Sequence, residues 1–600
     1  MCGILGCIYK IHYTKARAEF AQNLQILSHR GPDFQNFIQW ENVFLGHTRL
    51  AVLDLDSRSN QPMVYGDKYI LVFNGEIYNY KELKEELYKQ GYRFYTQGDA
   101  EVLLCAYDFW GETCVEHFNG MWAFALLDKS KGKIFCSRDR FGEKPFFYYQ
   151  DENQFVFASE IKAVLPYLKA RKANIPAMIP FIVRGNIDCY RNETFFKGIY
   201  RLNPSENLVI DLKDYSLSKS AYYTINTEEI LANNPASKVR EILENSVKLR
   251  LRSDVGIGGC LSGGLDSSCL NALITRFVNP KDFIAIHAKS SLKENDESEF
   301  AQVVAKHLGI ELYVIEPSQS EFLESLEKVI KTQDEPFGST SIYMQYFVMQ
   351  KARELGIKVM FDGQGADEIF LGYEHYFQYI YKVFKDCNRE EKFFKDLKSF
   401  RYSKEMIIES LARVENVKVA FERAQLGGVK EQYLGFDQFN EIYNYGDFHY
   451  WNKREIKNNN LQALLRYEDR DSMAFGVESR LPYLDYRLVD YVLALPIFEK
   501  FQKGYLKFLL REACKDLLPK NIIWRYNKLG FESPQKLWLE SITAQMVESI
   551  ENSEILREIF GCRCGGGGHF LMNQIYGNII AFLNGKKFTE LHCEENLCCV

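Results

Sequence analysis

The sequence predicts two domains of different fold class: an α+β layered domain, then an α/β domain with a doubly wound parallel sheet that ends in a helical part. The chain has 600 residues, which is more than one hydrophobic core supports. Up to about residue 160, strands are interrupted by only two short helical stretches, which is typical of an α+β layered domain. From residue 254 to residue 368, buried strands alternate with helices, which is the pattern of a doubly wound sheet.

The composition is that of an ordinary globular protein, with 46% hydrophobic residues, 26% charged residues and a net charge of −6. This charge balance indicates neither a nucleic-acid partner nor a membrane surface. No apolar run has the length that crosses a membrane. The first residues lack the features of a signal peptide, so we expect a cytoplasmic location. The 15 cysteines are scattered and odd in number, which favours reduced thiols.

Cys2 directly follows the initiator methionine. If Met1 is removed, Cys2 carries both a thiol and a free α-amine. This amine titrates at about pH 7.7–8 in model compounds, so it can take the thiol proton near neutral pH. Nucleophile and base then lie on one residue, which is the arrangement of an N-terminal nucleophile.

Polar, turn-forming clusters follow the strands of the N-terminal domain. The apolar run 70–73 predicts a strand that ends on Asn74-Gly75-Glu76, and Asp99 precedes a helix. Polar, irregular segments at 203–206 and 233–235 mark a domain junction. We therefore predict one domain at 1–205, a linker at 206–235, a second domain at 236–585 and a flexible tail at 586–600.

The segment 262–268 reads Ser-Gly-Gly-Leu-Asp-Ser-Ser and separates a predicted buried strand from a predicted helix. A loop at a helix N-terminus directs backbone N–H groups and a partial positive charge at one anion. Gly263 and Gly264 allow a close approach that a Cβ would prevent. No lysine follows the glycines, so this is not a Walker A motif. Asp266 fits beside phosphates only if a cation such as Mg²⁺ lies between them.

A second loop, 362–368, follows the predicted strand 359–361. The carboxyl ends of parallel strands meet at one edge of a sheet, so the two loops face one site. Asp266 and Asp367 can then share Mg²⁺ on bound phosphates. The third part of the chain is helical and aromatic, with a marked segment at 467–485.

The motifs of the first domain resemble, in order, those of the glutaminase domain of class II glutamine amidotransferases. They are Cys2, His29-Arg30-Gly31-Pro32-Asp33, Gly46-His47-Thr48-Arg49-Leu50, Asn74-Gly75-Glu76-Ile77-Tyr78-Asn79, Gly98-Asp99-Ala100-Glu101 and the segment 137–145. The loop 262–268 resembles the pyrophosphate loop of N-type ATP pyrophosphatases. From Cys2 to about residue 585 the whole chain resembles the glutamine-hydrolysing asparagine synthetases, which implies an Ntn-type αββα fold for the first domain.

The resemblance also implies roles for residues of the glutaminase site. Cys2 would attack the side-chain amide of glutamine, and Asn74 with the backbone N–H of Gly75 would form the oxyanion hole. The implied glutamine-binding residues are Arg49, Asn74, Glu76 and Asp99. Arg49 suits the α-carboxylate because its planar fork donates two hydrogen bonds.

In the second domain the resemblance implies an ATP site with Mg²⁺. The implied ATP-binding residues are Cys260, Ser262, Gly263, Gly264, Asp266, Ser267, Ile286, Asp362 and Gly363, with Asp266 and Asp367 as metal ligands. Lys507 would contact the phosphates and stabilise charge during adenylyl transfer. ATP would activate aspartate as β-aspartyl-AMP, and ammonia from an internal channel would convert it to asparagine, AMP and pyrophosphate.

Some positions depart from the family pattern. Many asparagine synthetases have Glu or Asp where this chain has Gln364, and Gln cannot titrate. Asp362 and Cys260 stand where relatives have Ser and Leu. A related enzyme that forms an amide on a sugar, peptide or secondary metabolite therefore stays open. An inactive binding protein is a third reading, disfavoured because the chain keeps the motif residues Cys2, Asp266, Asp367 and Lys507.

The C-terminal segment is rich in cysteine and glycine: Cys562, Cys564, Gly565 to Gly568, His569, Cys593, Cys598 and Cys599. Its spacing does not match a four-ligand zinc site, so we favour a flexible loop and a disordered end. The sequence leaves open the acceptor, the channel residues and the oligomeric state, with a homodimer as one option.

Overall fold

The computed structural model describes residues 1–10, 15–184, 192–397, 405, 430–434, 448–458, 460–526, 530, 532–545, 548 and 553–560. The predicted tail 586–600, the boundary at 585 and the cysteine-rich segment from Cys562 to Cys599 lie outside these residues. Within the described ranges, no helix combines the length and apolar character needed to span a bilayer. The cysteines of these ranges are free thiols.

The strands of the described residues are numbered in chain order. They are β1 (Gly3–Tyr9), β2 (Phe34–Trp40), β3 (Val43–Arg49), β4 (Met63–Tyr65), β5 (Tyr69–Ile77), β6 (Gly120–Asp128), β7 (Lys133–Arg138), β8 (Phe147–Gln150), β9 (Gln154–Ala158), β10 (Ile199–Arg201), β11 (Glu206–Asp211), β12 (Leu217–Ala221), β13 (Ile257–Cys260), β14 (Ile284–Ala288), β15 (Glu311–Ile315), β16 (Val359–Phe361) and β17 (Glu478–Arg480).

The α-helices of the same residues are short to medium in length. They span Ala16–Gln25, Tyr80–Lys89, Ala100–Trp110, Ile161–Val164, Ile175–Arg184, Pro235–Arg250, Leu265–Ile274, Ser298–Leu308, Gln319–Gln333, Ser341–Glu354, Ala366–Phe370, Phe377–Asp386, Glu390–Leu397, Glu431–Leu434, Phe448–Lys457, Asn460–Met473, Tyr486–Ala494, Ile497–Lys500, Phe508–Cys514, Lys520–Ile523, Gln535–Glu540 and Glu554–Phe560.

Two antiparallel six-stranded sheets form the N-terminal domain. Their strand orders are β10-β8-β9-β1-β3-β2 and β12-β11-β7-β6-β5-β4. The sheets stack face to face, since Ile4 of one and Val72 of the other share a buried cluster. Helix Ala16–Gln25 packs on the outer side of the first sheet, and helices Tyr80–Lys89 and Ala100–Trp110 pack on the outer side of the second. The expected αββα layering is confirmed.

The predicted linker at 206–235 contains two strands of this domain. β11 pairs with β7, and β12 pairs with β11 at the edge of the sheet. β12 is mostly exposed and polar, so its sequence lacks the alternation of apolar and polar residues that marks a half-buried strand. The N-terminal sheet therefore extends to Ala221.

A five-stranded parallel sheet of order β15-β14-β13-β16-β17 forms the centre of the second domain. Helices Leu265–Ile274 and Ser298–Leu308 share a buried cluster with Ala285, whereas helix Ser341–Glu354 packs with the neighbouring Ile286. Adjacent strand residues point to opposite faces, so helices cover both sides, and the predicted doubly wound sheet is confirmed. The edge strand β17 was not predicted, because three residues are too few to show a period.

Candidate active sites

The first candidate site surrounds Cys2, which lies just before β1 and is buried. Its backbone N–H donates to Asn74 Oδ1 at 2.9 Å, and its Sγ lies 4.0 Å from the carbonyl oxygen of Leu50. Burial raises the pKa of the Cys2 thiol. A base beside the thiol is therefore needed for it to act as a nucleophile near neutral pH.

Asn74 and Gly75 lie on β5, and Asn74 contacts Cys2. The Asn74 Nδ2 is buried and has no hydrogen-bond partner in the structure, so it can donate to a developing oxyanion. A Cβ at Gly75 would come within 2.1 Å of the carbonyl oxygen of Met121. Glycine is therefore required for β5 to pack against β6 at this point.

The implied glutamine-binding residues border the same site. Arg49 ends β3, and its guanidinium donates to the carbonyl of Asp56 at 3.0 Å and to Asn60 Oδ1 at 2.7 Å. Asp99 accepts from the backbone N–H of Ile77 at 2.8 Å. Burial raises the pKa of Asp99 to about 6, and burial together with nearby carboxylates raises the pKa of Glu76. Both carboxylates would gain from a bound ammonium.

Glu478 of β17 reaches from the second domain into this site. Its Oε2 lies 2.8 Å from the α-ammonium of Met1, and both groups are fully buried. Burial opposes its charge, but the Met1 ammonium and Arg480 hold the pKa of Glu478 at about 2. Removal of Met1 would move the terminal ammonium to Cys2, one residue along the chain.

The second candidate site begins at the loop 262–268, between β13 and helix Leu265–Ile274. Ser262 Oγ and Ser267 Oγ lie 2.9 Å apart, and the backbone N–H of Gly264 donates to Ser262 Oγ at 3.2 Å. Gly263 has φ +84°, and a Cβ there would lie 2.8 Å from the carbonyl oxygen of Glu297. This conformation and this packing both require glycine.

Lys507 lies between the two predicted metal ligands. Its Nζ contacts Asp266 and lies 2.7 Å from Asp367 Oδ1. Burial opposes its charge, but the two carboxylates raise the pKa of Lys507. One cation thus bridges Asp266 and Asp367, which shows that their carboxylates can share a positive charge. No group of three or more His, Cys, Asp or Glu that could hold a metal exists within the described ranges. Two carboxylates with phosphate oxygens nevertheless suit Mg²⁺.

A cavity of about 700 Å³ opens above the loop. Its lining contains the predicted ATP-site residues Cys260, Ser262, Gly264, Asp266, Ser267, Ile286, Asp362 and Gly363, together with Gln364, Asp367 and Lys507. Gly263 does not line this cavity, because it faces Glu297. Residues from three strand ends therefore meet in one cavity, as the sheet topology predicts.

Two carboxylates share one amide at the side of this cavity. Gln345 Nε2 donates to Asp362 Oδ2 at 3.1 Å and to Glu468 Oε2 at 3.1 Å. Ser479 Oγ donates to Glu468 Oε1 at 2.5 Å. Burial and the charge of Asp362 raise the pKa of Glu468 to about 8. The pKa of a carboxyl group at the side of this cavity is thus raised from its ordinary value to above neutral pH.

The residue after Glu468 contacts the first candidate site. Asp469 accepts from Arg30 Nη1 at 2.8 Å and from Nη2 at 3.0 Å. Arg30 Nε in turn donates to the backbone carbonyl of Cys2 at 3.0 Å. Helix Asn460–Met473 therefore contacts both candidate sites through consecutive residues.

Comparison with known proteins agrees with this two-site arrangement. The glutamine amidotransferase domain model matches residues 1–223, and the asparagine synthase model matches residues 238–560. The chain belongs to the asparagine synthase family. A glutamine-hydrolyzing asparagine synthetase 3 of Bacillus subtilis is 30% identical over 579 residues, which cover 91% of this chain and 90% of that protein.

Two further relatives carry different names. A putative asparagine synthetase 2 of Methanocaldococcus jannaschii is 35% identical over 399 residues, covering 62% of this chain and 76% of that protein. The protein named amidase chyE of Penicillium rubens is 26% identical over 580 residues, covering 87% of this chain and 85% of that protein. The family and the two domains make this protein an ATP-using carbon–nitrogen ligase with glutamine as nitrogen donor.

Several residues of these sites lie in the sequence motifs described above, but the motifs predicted no role for them. Arg30, Glu468, Asp469 and Glu478 all stood in motifs of the asparagine synthase family. The sequence did not indicate that these side chains are buried, because charged residues are usually exposed to solvent. The one feature that could have indicated a role is the run of four ionisable residues at 468–471, which comes shortly before the apolar Met473. All four are buried.

Proposed function

We propose that the protein makes asparagine from aspartate, with ammonia taken from glutamine and activation by ATP. Glutamine is hydrolysed at Cys2 to glutamate and ammonia. ATP converts the side-chain carboxylate of aspartate to β-aspartyl-AMP and releases pyrophosphate. Ammonia then attacks the acyl carbon, which gives asparagine and AMP.

In the glutaminase site, removal of Met1 frees the α-amine of Cys2. This amine would take the proton of the buried thiol, and the thiolate would attack the amide carbon of glutamine. Asn74 Nδ2 and the Gly75 N–H would stabilise the oxyanion, each by a few kcal/mol. Arg49 would hold the α-carboxylate of glutamine, and Asp99 with Glu76 would hold its α-ammonium.

In the synthetase site, Asp266 and Asp367 would hold Mg²⁺ on the phosphates of ATP. When bound, Mg²⁺ neutralises phosphate charge and orients the phosphates. Lys507 would then exchange its carboxylate partners for phosphate oxygens and stabilise the charge that develops during adenylyl transfer. Backbone N–H groups of the loop 262–268 would bind the pyrophosphate, and Cys260 with Ile286 would contact the adenine.

The convergence of Lys507, Asp266 and Asp367 at the phosphate loop carries this proposal. These residues come from three separate segments of the chain, and their charges fit a nucleotide with a divalent cation better than any neutral ligand. Aspartate as the acceptor is supported by the names of the relatives in Bacillus subtilis and Methanocaldococcus jannaschii. We also propose a cytoplasmic location and domain limits near residues 221 and 236.

A second candidate function is amide formation on a different carboxylate. It is favoured by Gln364, which lines the cavity at a position where many asparagine synthetases have an acidic residue, and by the similarity to a protein named amidase chyE of Penicillium rubens. A panel of carboxylic acids, assayed for ATP-dependent release of pyrophosphate, separates the two. Release with aspartate alone supports asparagine synthesis, and release with another acid alone supports the second function.

Cys2→Ala tests whether glutamine hydrolysis and amide synthesis take place at separate sites. We expect it to abolish glutamine-dependent synthesis and to leave ammonia-dependent synthesis intact, because free ammonia bypasses the first site. The measurement is asparagine formed from aspartate and ATP with each nitrogen donor. Loss of the ammonia-dependent reaction in a folded Cys2→Ala protein would contradict the proposal.

A further inference from the structure

The carboxylates of Glu468 and Asp362 face the ATP cavity with their charges poorly compensated. Both line the cavity, and both accept a hydrogen bond from the single amide nitrogen of Gln345. Within the described part of the chain, neither forms an ion pair, whereas the neighbouring Asp469 pairs with Arg30. Two neighbouring carboxylates raise each other's affinity for a proton.

Glu468 is also next in the chain to Asp469, which pairs with Arg30 beside Cys2. On helix Asn460–Met473, Glu468 lines the cavity, whereas the next residue, Asp469, pairs with Arg30. Consecutive residues of strand β17 also contact the two sites: Ser479 donates to Glu468, and Glu478 binds the N-terminal ammonium. This helix and this strand therefore each contact both candidate sites through consecutive residues.

We propose that the Glu468 carboxylate accepts the proton that the ammonia nitrogen loses as it attacks the acyl-adenylate, which rests on the proposed function. The nitrogen lone pair forms a bond to the acyl carbon, and the adduct nitrogen carries three hydrogens and a positive charge. One of these protons passes to the Glu468 carboxylate. The bond between the acyl carbon and the phosphate oxygen then breaks, and AMP leaves with the electron pair.

Other groups of the cavity suit this task less well. Gln364 has no acidic form and cannot accept a proton. Asp362 lies beside Cys260 at the end of β13, toward the adenine end, and Lys507 is a cation. The charged or titratable groups that face Glu468 are Asp362, Cys260, Asp471 and Lys144. Burial and the charge of Asp362 oppose ionisation of Glu468, whereas Lys144 favours it, and the balance raises the pKa of Glu468. Glu468 is therefore a stronger base than an exposed carboxylate.

The test compares two nitrogen nucleophiles on Glu468→Gln. Hydroxylamine attacks an acyl-adenylate without a protein base, because its adduct nitrogen is more acidic than that formed by ammonia. We expect ammonia-dependent amide formation to fall at least about a hundredfold, the usual loss when a general base is removed. Hydroxamate formation should stay within about threefold of the unaltered protein, which also shows that the fold and the adenylation step are intact.

Two further variants complete the design. Glu354→Gln removes an exposed carboxylate from the helix that carries Gln345, outside the cavity lining, and it should change neither rate. Glu468→Asp keeps a carboxylate, so it should retain more ammonia-dependent synthesis than Glu468→Gln even if both are less stable. Equal loss with both nucleophiles, an unchanged ammonia rate in Glu468→Gln, or a lower rate in Glu468→Asp than in Glu468→Gln would each overturn the assignment.

The acceptor is fixed first on the unaltered protein, by pyrophosphate release in hydroxylamine with a panel of carboxylic acids. Release with another acid and not with aspartate would refute the proposed acceptor, and the Glu468 comparison would be made on that acid. Release with none would overturn both proposals. The two ideas can therefore fail separately.

Discussion

Arg30 and Asp469 form a buried bidentate ion pair across the two domains, although they lie 439 positions apart in the chain. The same guanidinium donates to the carbonyl of Cys2 and to Glu160 Oε1 at 2.8 Å. Cys2, the proposed nucleophile of the first domain, is thus linked by two contacts to a helix that lines the proposed ATP cavity of the second. This link provides a physical route by which the two sites can influence each other.

We expect Asp469→Asn to uncouple glutamine hydrolysis from synthesis. The substitution removes one charge of the pair but leaves Arg30 bound to Glu160, so the buried guanidinium is not stranded. The measurement is the ratio of glutamate to pyrophosphate formed in one reaction, and it should rise several-fold. Ammonia-dependent synthesis should change little.

The matched control for this pair is Asp33→Asn. The Asp33 carboxylate lies 2.8 Å from Lys358 Nζ, which also joins the two domains, but both side chains are partly exposed. Exposed pairs contribute about 0–1 kcal/mol, so the ratio should not move. An equal rise in both variants would mean that any weakening of the interface uncouples the sites, and that Arg30 has no special part.

Asp266→Asn and Asp367→Asn are each expected to stop pyrophosphate release and to spare glutamine hydrolysis. An amide is a poor ligand for a hard cation, and it also removes one partner of Lys507. We expect the rate to fall about a hundredfold or more. Asp282→Asn removes an exposed carboxylate of the same domain and should leave the rate unchanged. Normal ATP turnover at low Mg²⁺ in either site variant would refute the metal assignment.

The parts of these sites that the sequence predicts are those set by short segments. The loops 262–268 and 362–368 follow apolar strands of one parallel sheet, so topology alone brings Asp266 near Asp367. Lys507 needed the family resemblance, because a lysine at the start of a helix is usually exposed. Its φ of +54° and its burial come from tertiary packing, which no local pattern indicates.

Contacts between the domains could not be predicted in the same way. Arg30, Asp469 and Glu478 look like surface charges in their own segments, and only the docking of two separately folded units buries them. The edge strand β17 illustrates this, since its three residues present Glu478 to one site and Ser479 to the other. Spacing within a segment carries no information on such pairings.

The affinity for glutamine should fall as the pH drops through about 6. Burial raises the pKa of Asp99 to about 6, above the value of about 3.9 for an exposed Asp, and only the ionised carboxylate attracts the α-ammonium of glutamine. We therefore expect the KM for glutamine to rise below that pH while the KM for ammonia follows a different course. In Asp99→Asn the KM should be high at every pH. A KM for glutamine that stays constant from pH 7 to pH 5 would contradict the role of Asp99.

Gln364→Glu should be tolerated with aspartate as substrate. Gln364 is only half-buried and lines the cavity, so a carboxylate there can stay hydrated or bind a proton. If ammonia arrives neutral and Glu468 takes its proton, the amide of Gln364 is not needed for proton transfer. We expect pyrophosphate release by Gln364→Glu within about tenfold of that by the unaltered protein. The pH profile of the unaltered protein should show no limb from a carboxylate at position 364, since Gln does not titrate.

Gln345→Glu is the contrasting control for this prediction. Gln345 Nε2 donates to both Asp362 and Glu468, so a third carboxylate there would meet two others with no donor between them. We expect this variant to lose activity or stability, because buried like charges at such distances are strongly unfavourable. The measurement is pyrophosphate release against pH for both variants. A more than hundredfold loss of pyrophosphate release in folded Gln364→Glu would contradict this prediction, whatever Gln345→Glu does. The Gln364 amide would then have to bind the acceptor directly. That result would favour a carboxylate other than aspartate.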